Sequence, residues 1–181
     1  QAIVWRGPMV TSALKQFVTD VIWGKLDYLV IDMPPGTGDV HLTMVQTVQV
    51  TGAVVVTTPQ AVSLIDAKKA MGMFTMPKIN VPVLGVVENM SYFTPEDALD
   101  KKYYIFGKDG GKELAVAYDV PFLGEIPLKE SVRAGGDQGT PAFTQDDEKL
   151  ITAFKQIAEK VAQNIAIHNS KQEIVNESNQ N

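Results

Sequence analysis

A chain of 181 residues with a formal net charge of −5 and no cysteine has the size of one domain, and it excludes disulfides and thiolate metal sites built from its own residues. The acidic balance disfavours non-specific binding to nucleic acid or to an anionic membrane surface. No apolar run approaches the roughly 18 residues of a membrane span, and no charged-then-apolar leader opens the chain, so the expectation is a soluble cytoplasmic protein without membrane or nucleic-acid partners.

The chain begins at Gln1 and enters at once on Ala2-Ile3-Val4-Trp5, which reads as a fragment of something longer. Leu14, Phe17, Val18, Val21 and Ile22 then recur at helical spacing, with Gly24 as the stop. Tyr28-Leu29-Val30-Ile31 is the first of four short apolar runs. The others are Ala53–Val56, Val83–Val87 and Phe122-Leu123-Gly124. They are continuous rather than alternating, the pattern of strands buried on both faces of a parallel sheet.

Between the runs lies a helical stripe of Leu64, Ala67, Met71 and Phe74, closed by Pro77, with Ser63 and Asp66 at capping-box spacing. The segment Ser91–Gly111 carries mixed charge and five aromatic rings, and reads as a hairpin excursion whose rings either contact a partner or fold back. A longer stripe follows from Leu150 to Ile165. From Asn169 to Asn181 the chain is polar, and a disordered tail is expected there. Strands alternating with helices imply an α/β fold with a mostly parallel sheet flanked by helices.

The most informative string is Tyr28 to Asp39. A buried strand would deliver Asp32 to its carboxyl end, where ligands of open α/β sheets bind. A carboxylate there suits Mg²⁺, held directly or through water. Pro34-Pro35-Gly36-Thr37-Gly38 is stiff, then permissive, so Gly36 can offer its N–H to a phosphate in a loop that moves when the phosphate leaves. Asp39 is placed to cap the next helix.

Trp5-Arg-Gly-Pro-Met9, Ile31-Asp-Met-Pro-Pro-Gly-Thr-Gly-Asp-Val-His41, Thr58-Pro-Gln-Ala-Val-Ser-Leu-Ile-Asp-Ala67, Gly85-Val-Val-Glu-Asn-Met-Ser-Tyr-Phe93 and Gly124-Glu-Ile-Pro-Leu128 together resemble the Mrp family of deviant P-loop ATPases, related to MinD and ParA. The resemblance implies a P-loop NTPase-like sheet and an ATP-binding and hydrolysing, homodimeric carrier or assembly factor for iron–sulfur clusters. Its partners would be ATP or ADP and iron–sulfur client or scaffold proteins. It also implies roles by position: Asp32 as the Walker B carboxylate for Mg²⁺ and Gly36 as the switch glycine. Asn89 would read the adenine edge, and Ile126, Pro127 and Leu128 would flank the base. Pro59 and Asp66 would lie near the dimer-facing side, and Asp39 would be a further dimer or switch position. Asn89 is also explained as a strand-end residue closing a turn, and Asp66 as a helix cap. Arg133 reads either as approaching the nucleotide or, the favoured reading, as pairing with a carboxylate on the surface. His41 reads as a satisfied structural histidine, and His168 as the end of the last helix.

Two departures qualify this. No Gly-Lys-Ser/Thr phosphate loop follows a strand here. Gly107-Lys-Asp-Gly-Gly111 has the glycines without the rest. The resemblance places the missing loop and its mid-sheet strand upstream of Gln1, so residues 1–168 would be a partial ATPase domain without measurable turnover by itself. The Cys-x-x-Cys that many family members carry after the Asn-Met-Ser-Tyr-Phe string is replaced by Thr94-Pro-Glu-Asp97. Carboxylates are poor substitutes for thiolates at such centres. The alternative is a nucleotide-gated interaction or positioning ATPase of the MinD/ParA type without cluster chemistry.

Overall fold

β1 (Ala53–Thr57), β2 (Val83–Glu88) and β3 (Phe122–Glu125) run parallel in the order β1-β2-β3. They belong to a computed structural model that describes residues 7–34, 36–98, 100–144 and 146–178. Helices α3 (Ala61–Phe74) and α4 (Gly110–Ala117) make the two crossovers. α6 (Glu148–Ser178) follows α5 (Glu130–Gln138) and a short 3-10 turn.

The central strand explains the layering. Val86 of β2 packs with Val55 against Ala67 and Met71 of α3 and Leu114 and Ala115 of α4. The next residue, Val87, points to the opposite face and joins Leu123, Ile126 and Leu150 under α6. Both faces of β2 are therefore covered, as its unbroken apolar run predicts, and each such side chain contributes about 1.5–3 kcal/mol on burial. β1 is covered on one face only: Val55 and Thr57 are buried, Val54 and Val56 exposed.

β2 carries a bulge where Ala53 pairs with Val83 but Val54 with Gly85. Gly85 has φ +151, and a Cβ there would lie 2.6 Å from the Pro121 carbonyl oxygen. α6 supplies donors for the irregular strands: Asn164 Nδ2 donates to Leu84 O at 2.8 Å and Lys160 Nζ to Leu123 O at 2.7 Å.

Several expectations are corrected. Tyr28–Ile31 forms no strand. A strand exists only against a neighbour, and among the described residues no backbone group pairs with this run. Its side chains are open to solvent, Val30 at 90 %. α1 spans Gly7–Thr19, so Val21 and Ile22 lie beyond it, and Trp23 Nε1 folds back to donate to Phe17 O at 3.0 Å. α6 runs through the polar stretch from Asn169 to Ser178, and residues 179–181 of the expected tail lie outside the described residues. Lys, Gln and Glu are good helix formers, and the His168 and Gln172 side chains meet at 2.8 Å one turn apart. His168 is thus internal to the helix rather than at its end.

Among the described residues, no helix is long and apolar enough to cross a membrane.

Candidate functional site

The carboxyl ends of the strands are laced together by backbone hydrogen bonds. Asn89 N donates to Thr57 O at 2.7 Å, joining the ends of β1 and β2. Ile126 N donates to Glu88 O at 2.8 Å, Ser91 N to Ile126 O at 3.0 Å and Leu128 N to Tyr92 O at 2.8 Å. Asn89 and the Ile126-Pro127-Leu128 segment, distant in sequence, therefore form one cluster. Ile126 and Pro127 are buried, while Asn89 and Leu128 are half-buried. Asn89 Oδ1 accepts from Met90 N at 2.9 Å, and Met90 takes φ +53. The turn-closing reading of Asn89 is thus realised, and its Nδ2 amino group has no partner among the described residues.

Sequence reasoning missed Glu88. This carboxyl side chain is 1 % exposed, and Oε2 accepts from Gly111 N at 2.6 Å. The signal was available: an acidic residue inside Val86-Val87-Glu88-Asn89, where the strand pattern calls for an apolar one. Gly110 and Gly111 open α4 beside it. A Cβ on Gly110 would lie 2.9 Å from Pro59 O, and one on Gly111 3.0 Å from Glu88 Cβ. The glycines of Gly107–Gly111 serve this close approach.

At the end of β1, Ser63 does not cap α3. The N-cap position is Gln60, and Ser63 Oγ instead contacts Thr57 Oγ1 at 2.9 Å and accepts from Thr58 N at 3.1 Å. Pro59 is buried beneath the first turn of α4. Asp66 is not a cap either. It points to solvent and pairs with Lys69 at 3.0 Å.

The Asp32 segment lies apart from this cluster in bonding. Asp32 is exposed on irregular chain rather than at a strand end, because the run before it is unpaired. Gly36 adopts φ +95, a backbone conformation that favours glycine; Pro35 beside it lies outside the described residues. Asp39 is the first residue of α2 (Asp39–Thr47), whose N-cap is Gly38 with no side-chain cap. It therefore lies in the first turn, where its charge suits the helix end, instead of capping it. His41 is 6 % exposed, and its Nδ1 has no partner among the described residues, so the expected satisfaction is not seen there. No group of three or more potential metal ligands forms among the described residues. Asp32 offers a single oxygen ligand of the kind Mg²⁺ takes when most of its shell is phosphate and water.

Instead of a two-stranded hairpin, the excursion is closed by one isolated antiparallel bridge, with paired hydrogen bonds of 2.8 Å between Phe93 and Tyr103 and no strand in the described residues on either side. Lys102 Nζ lies 3.6 Å from the Tyr92 ring centroid, while Phe93, Tyr103 and Tyr104 stay exposed. Arg133 pairs on the surface with Glu130 and Asp137.

Comparison with known proteins finds relatives of the chain as a whole. A family model described as ParA, NUBPL iron-transfer P-loop NTPase, matches residues 1–162. Proteins named iron-sulfur cluster carrier protein from Deinococcus radiodurans and Escherichia coli K12 are 54 % and 50 % identical, over 92 % and 89 % of this chain. The alignments cover 47 % and 43 % of those relatives, so the chain spans about half their length. Among solved structures, a nucleotide-binding protein from Archaeoglobus fulgidus in complex with ADP superposes with a TM-score of 0.64 at 39 % identity, covering 73 % of this chain and 53 % of that one. The cell division ATPase MinD from Pyrococcus furiosus shares the fold, with a TM-score of 0.59 at 22 % identity over 90 % of this chain and 63 % of that one. The chain belongs to the ParA/NUBPL iron-transfer P-loop NTPase family.

Proposed function

We propose that this chain is the base-binding part of an ATP-dependent iron–sulfur cluster carrier, cytoplasmic and dimeric in its full form. The observation that carries the reading is the convergence of Asn89 with Ile126–Leu128 at the carboxyl end of the sheet. An unpartnered carboxamide donor beside a buried backbone ledge suits the edge and face of a purine. The likeness to relatives named as cluster carriers, and to a protein solved with ADP, supports both halves of the proposal.

In this reading Asp32 holds Mg²⁺ on the nucleotide and Gly36 gives the switch loop its φ-positive hinge. The lysine-bearing phosphate loop comes from sequence outside these 181 residues, and the chain by itself does not turn over ATP. Of the two positions assigned to the dimer-facing side, Pro59 is buried within the subunit, so Asp66 is the one that presents a side chain to a partner. With no cysteine in the chain, the cluster is cargo ligated by thiolates from elsewhere in the protein or from its client.

The test uses the polypeptide extended to the length of its relatives. Calorimetry with ADP, then anaerobic reconstitution with iron and sulfide, is expected to give saturable binding and the visible absorbance of a bound cluster. Nucleotide binding without a cluster would leave a nucleotide-gated interaction module; no nucleotide binding would end the reading.

A further inference from the structure

Glu88 is an expensive residue where it stands. A carboxyl group 1 % exposed at the end of a central strand loses its hydration and needs compensation. The compensation is local and specific: Oε2 takes the Gly111 N–H at 2.6 Å, at the N-terminal end of α4, which favours a negative group. Apolar side chains fill the equivalent interior positions of β2 without this cost.

The main chain of the same residue organises the neighbouring cluster. Glu88 O accepts from both Ile126 N and Ser91 Oγ at 2.8 Å. Its neighbour Asn89 is anchored to β1 through Thr57 O. Glu88 thus links the first turn of α4, the strand end that carries Asn89, and the Ile126–Leu128 ledge. The absence of Cβ atoms at Gly110 and Gly111 lets α4 approach closely enough for the contact.

We infer that Glu88 is a positioning residue for base discrimination: its bond to Gly111 holds Asn89 in register with Ile126–Leu128. This rests on the base-site reading above. The register matters because discrimination between purines depends on where a single carboxamide lies relative to the base edge, whereas phosphate affinity does not.

The experiment measures ADP and IDP affinity in the full-length protein for wild type, E88A, E88D and E88Q. IDP keeps the ribose and phosphates and changes the purine edge. Wild type is expected to prefer ADP, because the adenine N6 amino group can donate to the second lone pair of Asn89 Oδ1 and the O6 of IDP cannot. E88A, and E88D whose shorter side chain withdraws the oxygen, should lose about tenfold in the ADP-to-IDP preference, the value of one hydrogen bond. E88Q keeps an acceptor for Gly111 N–H and should restore the preference. If E88A does not fold, the E88D and E88Q comparison carries the test. Equal weakening of both nucleotides, or an unchanged preference in E88D, overturns the positioning role. A wild type that binds ADP and IDP alike removes the base-site reading, and this proposal with it.

Discussion

Lys129 and Asp147 form an ion pair that joins the residue after Leu128 to the residue that caps α6. Asp147 Oδ1 also accepts from Leu150 N at 3.0 Å, so one carboxylate closes the helix end and anchors the chain leaving the candidate site. Partial burial pushes the Asp147 carboxyl up. The hydrogen bonds from Lys129 and Leu150, with the Lys129 charge and the Lys149 N–H, outweigh this and hold it below the ordinary aspartate value. A folded value depressed below the unfolded one gives stability that is fully present above the ordinary aspartate range. It is lost as pH falls through the folded value. D147A should therefore lose about 1–2 kcal/mol near neutral pH and show a flatter acid limb. D147N, which keeps an oxygen for Leu150 N–H, should lose less. Urea melts across the acid range check this, and an acid limb in D147A identical to wild type would refute it.

Leu150 tests whether α6 is a true layer of the fold. It is 0 % exposed and packs with Val87, Leu123 and Ile126. L150A removes buried methyl groups from beneath the ledge that carries the candidate site, and a loss of about 2–5 kcal/mol is expected. A loss under about 1 kcal/mol by chemical denaturation would mean that α6 does not cover the sheet in solution.

The legible parts of this fold are those decided by local pattern. β1, β2 and β3 and the stripes of α3 and α6 were readable because their central apolar side chains, among them Val55, Val86, Val87, Leu123, Met71 and Leu150, are buried in the two core clusters. Tyr28–Ile31 had the same pattern and forms no strand, since apolar composition does not supply a hydrogen-bonding neighbour. Asp32 inherits that failure: its type and spacing were legible, its placement was not. Ser63, Asp66 and Asp39 show the limit of capping rules, because a spacing of three residues does not say which residue opens the helix. Glu88 was hidden by its surroundings. Its partner, Gly111, lies in a glycine cluster assessed only as a failed phosphate loop.

Asp32 and Asn89 should fail differently in the full-length protein. D32N removes the charge proposed to hold Mg²⁺, and is expected to reduce ATP hydrolysis by at least about 100-fold while metal-free ADP binding changes little. N89A removes the proposed base contact and should weaken ADP about tenfold, with the magnesium dependence of the remaining activity unchanged. Hydrolysis by D32N at the wild-type rate would remove Asp32 from the site. Unaltered ADP affinity in N89A would do the same for Asn89.

The unpaired run at Tyr28–Ile31 makes the last prediction. Ile22 and Val30 are 96 % and 90 % exposed, and Val54 and Val56 leave one face of β1 open. Apolar surface of this kind marks a contact that is still to be made. If a strand from the part of the full-length protein outside these 181 residues enters the sheet here, Tyr28–Ile31 gains the neighbour it lacks and Asp32 is drawn to a strand end, the position its proposed role requires. Hydrogen exchange should then show residues 28–31 nearly unprotected in the 181-residue chain, while the β2 amides exchange slowly. In the full-length protein the same residues should gain about 100-fold protection or more. Slow exchange at 28–31 in the short chain would show that the run finds a partner within it. Fast exchange in both forms would show that the rest of the full-length protein does not pair with it, and Asp32 would then have no route to the strand-end geometry its proposed role requires.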